Sequence, residues 1–105
     1  MTDILHRLEA SIAARRGASP DSSYVASLFA KGREKIAQKV GEEATETVIA
    51  ALSGNPAKLT AEAADLLFHL IILLAEGGLS IDDVLDELAR REGVSGITEK
   101  AARKD

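Results

Sequence analysis

The stretch REKIAQKVGEEATETVIAALSGNPAKLTAEAADLLFHLIILLAE, residues 33–76, decides the fold. Its first part, 33–52, has helical periodicity. At about 100° per residue, Ile36, Ala37, Val40, Ala44, Thr47 and Ala51 share one face, and Lys39, Glu43, Glu46 and Ala50 run along one edge of it. SGNP (53–56) breaks the run, with Asn55 placed to cap the next helix and Pro56 suited to its first position. The second part, 56–76, is a further long helix, and from Leu66 onward it is apolar on nearly all sides. A helix of that kind must be covered all round, and a chain of 105 residues with three other helices can hardly do so alone. A partner subunit is the simplest cover.

Working outward, Ile4, Leu5, Leu8 and Ile12 put an amphipathic helix over 3–16, closed by Gly17. GASPDSS (17–23) is a loop by composition, and Tyr24 to Ala30 form a short helical turn that Gly32 ends. After Gly77 and Gly78, Ser80-Ile-Asp-Asp83 is a capping-box variant that opens a helix with Ile81, Val84, Leu85 and Leu88 inward, ending near Arg91. These signals predict an all-α helical bundle of four to five helices, its core completed by homodimerisation, in a domain over 1–92 with a mobile tail over 93–105.

Composition narrows the function. There is no cysteine, which excludes disulfides, thiolate metal sites and cysteine nucleophiles and favours a reducing compartment. MTDILHRLEA has none of the features of a signal peptide. The longest apolar stretch, Leu66 to Ala75, holds ten residues against the roughly 20 that a bilayer span needs, so no membrane helix is expected. A formal charge of −4 argues against a nucleic-acid partner.

The chemistry lies in the carboxylates. Glu62, Asp65, His69 and Glu76 are spaced so that all four fall within about 60° of arc on the helix over 56–76. A polar stripe on an otherwise apolar helix needs a reason, because a buried carboxylate is costly unless paired or bound to metal. The preceding helix offers Glu43 and Glu46, with Glu42 adjacent, so two helices joined by a tight turn can face E-x-x-E against E-x-x-D across fifteen intervening residues. Either pair alone suits a solvated face; the two together suit a site. Convergent oxygen ligands call for a hard cation, Mg²⁺ with Mn²⁺ as substitute, and leave positions for phosphate oxygens. Lys31, Arg33, Lys35 and Lys39 stand just before the acidic group, where they can bind phosphates; a surface ion pair between Lys39 and Glu43 is the plainer alternative. His69 is either a hydrogen-bonded core residue or one that orients Asp65 or touches a substrate phosphate. Tyr24 and Ser23 lie within reach of such a ligand, with core and loop roles as the default.

SYVASLF (23–29), Gly32, KIAQKVGEEATE (35–46) and EAADLLFHL (62–70) resemble the phosphoribosyl-ATP pyrophosphatase family in order and spacing over roughly residues 1–92. The wider relatives are the all-α, MazG-like nucleoside triphosphate pyrophosphatases. Phe68 stands where tyrosine is expected and Val25 where threonine is common. The resemblance implies Mg²⁺-dependent hydrolysis of phosphoribosyl-ATP to phosphoribosyl-AMP and pyrophosphate, the second step of histidine biosynthesis, by a cytoplasmic homodimer. It implies Glu43, Glu46, Glu62 and Asp65 as metal ligands, and either Glu42 or Glu46 as the group that orients or deprotonates water. Two alternatives stay open at this point: a house-cleaning nucleotide pyrophosphatase with the same metal site, and a non-enzymatic helical dimerisation module.

Overall fold

A computed structural model describes residues 3–93. Five helices follow one another: α1 (Ile4–Arg15), α2 (Tyr24–Lys31), α3 (Arg33–Leu52), α4 (Pro56–Glu76) and α5 (Ile81–Arg91). The tail over 94–105 lies outside the described residues. The element over 24–30 is a full helix of eight residues rather than one turn.

Local chemistry sets each boundary. The Asp3 carboxylate accepts from the His6 backbone N–H at the start of α1, and the Ser23 hydroxyl oxygen accepts from Ala26 N–H at the start of α2. Asn55 accepts from the N–H groups of Ala57 and Lys58, with Pro56 at the first position of α4 as its fixed φ favours. At α5 the Ser80 hydroxyl accepts from Asp83 N–H while the Asp83 carboxylate accepts from Ser80 N–H, a reciprocal capping box. Gly32 joins α2 to α3 with no loop between them, at φ +96° and ψ 177°, a backbone region open essentially only to glycine.

α3 and α4 form an antiparallel hairpin, the dominant packing of the molecule. The core of Ile12, Val25, Leu28, Ile36, Ile71, Ile72 and Ile81 gathers at one end of that hairpin, where α1, α2 and α5 wrap it. Near the 53–55 turn the hairpin is uncovered: Val48, Ile49, Leu52 and Leu59 are exposed, Leu52 by 84%. On α4, Ile71 and Ile72 are buried while Leu67 is exposed. No single helix among the described residues is long and apolar enough to cross a membrane.

The packed face of α3 differs from the one its periodicity predicts. Ile36, Val40, Ala44 and Thr47 pack inward as expected, but Ala37 and Ala51 are exposed, and Glu43 and Ala50 from the edge join the inward run. An apolar stripe made largely of alanine weakly specifies the rotation of a helix. Here the small Ala50 and a polar contact, from Thr47 Oγ to the Glu62 carbonyl at 3.2 Å, fix it instead. The rotation carries Glu43 into the seam between the helices.

Polar clasps close the covered end. Arg33 donates to Glu76 at 2.7 Å, and Arg16 donates to the Ala75 carbonyl with its guanidinium 4.5 Å from the centre of the Phe29 ring. Glu76, predicted on the acidic stripe, therefore serves as an anchor for α3. α5 is held to α1 by Glu9, which accepts from Ile81 N–H at 2.6 Å, and by His6, whose ring nitrogens lie 2.9 Å from Asp3 and 2.7 Å from Asp82. Carboxylates accept at both nitrogens, so the imidazolium satisfies the clasp. Its hydrogen bonds to Asp82 and then Asp3 raise the His6 pKa above its ordinary 6.5. A raised pKa stabilises the fold fully below the unfolded value of about 6.5, and that stability is lost as pH rises through the folded value. His6→Gln is expected to lower the melting temperature most in mildly acidic buffer, with the gap from wild type narrowing as the pH is raised. A gap independent of pH would refute the charged clasp.

Candidate active site

The site is built on the seam. Glu43 on α3 and Glu62 and Asp65 on α4 bring one carboxylate oxygen each to within 4.8 Å of the others. Glu43 and Glu62 are partly buried and Asp65 is exposed. The spacing of three on α4 puts Glu62 and Asp65 on neighbouring turns of one face, and the antiparallel hairpin sets Glu43 opposite. The Thr47 hydroxyl secures the register: it lies 2.7 Å from the Glu43 carbonyl and 3.2 Å from the Glu62 carbonyl, donating between the backbones that carry two of the acids.

These residues suit a divalent cation. Three acidic oxygens share one small volume, and among the described residues no ion pair reaches any of them. All the donors are hard oxygens, which selects Mg²⁺ or Mn²⁺ over softer ions. Three protein oxygens fill part of an octahedral shell and leave the remainder for water and phosphate.

The other predicted residues distribute unevenly. Glu46 is exposed and stands outside the group of three. Glu42 is also exposed, and both its oxygens are engaged: Gln38 donates to one at 2.8 Å and the Lys39 ammonium lies 3.2 Å from the other. Those two hydrogen bonds, that of Gln38 first, hold the Glu42 carboxyl below its usual pKa. The same ion pair raises the pKa of Lys39 and keeps it charged one turn from Glu43. The plainer alternative for Lys39 named the wrong acid: its partner is Glu42. Lys35 comes one turn earlier, while Arg33 starts α3 about 15 Å from Glu43 along the helix axis by its rise per residue and is engaged by Glu76, and Lys31 ends α2.

His69 is buried, at 4% exposure, and both ring nitrogens are used. Nδ1 lies 2.8 Å from the Asp65 carbonyl and Nε2 lies 2.7 Å from the Tyr24 hydroxyl. A carbonyl only accepts, so Nδ1 carries the proton and donates. In the neutral ring Nε2 then accepts, and Tyr24 donates to it. The ring also meets Phe68 and Tyr24 edge-on. The sequence placed Tyr24 within reach of a ligand but gave it no partner: His69 lies 45 residues away, so no local spacing signals the pairing. Burial pushes the Tyr24 hydroxyl pKa up, against the pull of Lys39, with Glu43 and Asp65 in the same neighbourhood.

An all-α bundle with three acids converging across a helix hairpin, and a lysine one turn away, is an arrangement able to hold a cation beside a phosphate. Comparison with known proteins specifies it. A model of the phosphoribosyl-ATP pyrophosphohydrolase family matches residues 5–92, and the chain belongs to that family. It is 66% identical over 103 residues to the phosphoribosyl-ATP pyrophosphatase of Rhizorhabdus wittichii, covering 98% of this chain and 97% of that one. It is 66% identical over 101 residues to the protein of the same name from Erythrobacter litoralis, covering 96% and 97%. The Methylococcus capsulatus protein of that name is 58% identical over 102 residues, with 97% of each chain covered.

A ligand bound only by the folded state stabilises it, by about 2.7 kcal/mol at a hundredfold excess over its dissociation constant. Adding Mg²⁺ or Mn²⁺ is therefore expected to raise the melting temperature of the wild-type chain, and Glu62→Gln is expected to remove most of that rise. An equal rise in the variant would place the cation elsewhere.

Proposed function

We propose that this chain hydrolyses phosphoribosyl-ATP to phosphoribosyl-AMP and pyrophosphate, the second step of histidine biosynthesis, with Mg²⁺ as cofactor and Mn²⁺ as substitute. The observation that carries the reading is the convergence of Glu43, Glu62 and Asp65 on one point of the seam, in a chain that belongs to this family. The donor set supports Glu43, Glu62 and Asp65 as the groups that hold the cation. When bound, that cation neutralises phosphate charge and polarises the scissile phosphoanhydride.

The chain's own groups do the rest. Lys39, held by Glu42, to which Gln38 also donates, presents a fixed ammonium to the triphosphate and offsets charge on the departing pyrophosphate. Hydrogen bonds from Gln38 and Lys39 lower the pKa of Glu42 and make it the weaker base, whereas Glu46 has no ion pair among the described residues and lies one turn beyond Glu43. Glu46 therefore takes the proton from the attacking water. The water oxygen bonds to the α or β phosphorus, the bridging P–O bond breaks, and pyrophosphate departs. Lys35 adds positive charge behind Lys39, and Lys31 and Arg33 extend it toward the covered end. His69 acts through its neighbours, with both nitrogens engaged.

Asp65→Ala is expected to keep its helical content and to lose pyrophosphate release by on the order of 100-fold, since even the residues behind a metal ligand cost 10–100-fold. Glu46→Gln is expected to lower kcat far more than Glu42→Gln. Wild-type turnover in Asp65→Ala would overturn the metal assignment, and a larger loss in Glu42→Gln would exchange the two glutamates.

The uncovered half of the hairpin supports a homodimer. Val48, Ile49, Leu52 and Leu59 are large apolar residues left in water on adjoining helices, a patch of the kind that marks an interface. A second copy of the chain would extend the hairpin into a bundle. Sedimentation is expected to give about twice the 11.1 kDa chain mass, and Leu52→Lys is expected to shift the equilibrium toward the single chain. A wild-type monomer at high concentration would contradict this. The proposed setting is the cytoplasm, because a triphosphate substrate is too highly charged to leave the compartment in which it is made.

A further inference from the structure

Tyr24 stands where two unlike surfaces meet. Its ring walls a groove of about 260 Å³ between α1, α2 and α4. Leu8, Ile12, Val25 and Phe68 make the groove apolar, and its one charged lining residue is Arg15. The other end of Tyr24 reaches His69, in the neighbourhood of Lys39, Glu43 and Asp65. The rings of Tyr24 and Phe68 are nearly parallel, 17° apart with centroids separated by 6.4 Å.

The direction of the hydrogen bonds matters more than their lengths. The Asp65 carbonyl obliges His69 Nδ1 to donate, and in that tautomer of the neutral ring Nε2 accepts from Tyr24. The single hydroxyl proton of Tyr24 is thereby committed to the interior. Toward a ligand its oxygen can only accept. An acceptor repels phosphate oxygens, which are acceptors themselves, and seeks a donor. In a nucleoside triphosphate whose anionic end lies at the carboxylates and Lys39 and whose base lies in the apolar groove, the part between them is a ribose. Ribose hydroxyls are neutral donors.

We propose that Tyr24, oriented by His69, accepts a hydrogen bond from a hydroxyl of the triphosphate-bearing ribose and so selects ribonucleotide over deoxyribonucleotide substrates. This rests on the reading of the carboxylates as the triphosphate site. Tyr24 is the specificity-determining residue, and His69 is a positioning residue that acts by fixing the direction of the phenol proton. A site built to pair with a hydroxyl discriminates against the analogue that lacks it.

The test compares phosphoribosyl-ATP with its 2′-deoxy and 3′-deoxy analogues, modified on the triphosphate-bearing ribose, in the wild type and in Tyr24→Phe. The wild type is expected to prefer the ribo substrate over at least one analogue by about five- to tenfold in kcat/KM, the worth of one neutral hydrogen bond. Tyr24→Phe is expected to bring that ratio close to one. Each ratio is taken within one protein, so a smaller folded fraction cancels. A second probe uses the fact that the chain has one tyrosine: biosynthetic 3-fluorotyrosine changes this side chain alone, weakens its oxygen as an acceptor, and should lower the ratio with the ring intact. An unchanged ratio in both proteins, or no discrimination in the wild type, overturns the inference while leaving the hydrolytic function in place. Absence of any pyrophosphate release by the wild type would instead defeat the functional reading itself.

Discussion

The structure depends on the close approach of α3 and α4 at Thr47 and Ala50. A hydroxyl that can reach carbonyls on both helices, beside an alanine small enough to let the backbones draw together, fixes the rotation of α3. That rotation places Glu43 against Glu62 and Asp65. The acidic group is thus a consequence of helix packing.

Support for the site comes from the opposite end of the hairpin. The isoleucine-rich core, the Arg16 and Arg33 clasps and the capped start of α5 hold the covered end rigid. α2, fixed to α3 by Gly32 without a loop, delivers Tyr24 to His69. The charged groups are layered accordingly: the three acids on the seam, Lys39 one turn away, and Glu42 paired with Lys39. The Tyr24–His69 pair then separates the charged cleft from the apolar groove.

Much of this was legible in the sequence, for physical reasons. The caps at Ser80 and Asn55, the Pro56 start and the glycine stops act over three or four residues, so their signals are local and the helices follow. The pairing of α3 with α4 followed from the short 53–56 turn, and the convergence of Glu43 with Glu62 and Asp65 from helical spacing. What escaped was whatever depends on rotation or on distant partners. A stripe rich in alanine left the face of α3 underdetermined, and Glu46 came to lie outside the group. Glu76 shares the arc of Asp65 but sits three turns away, where Arg33 claims it. Tyr24 carried no periodic signal, since its meaning lies in a histidine on another helix.

The most direct measurement is anomalous diffraction from crystals grown with Mn²⁺ and pyrophosphate. The account predicts a manganese peak bounded by carboxylate oxygens of Glu43, Glu62 and Asp65, with pyrophosphate oxygens on its open side and the Lys39 ammonium against them. A fully occupied manganese site elsewhere on the chain, with these three side chains pointing into solvent, would contradict it.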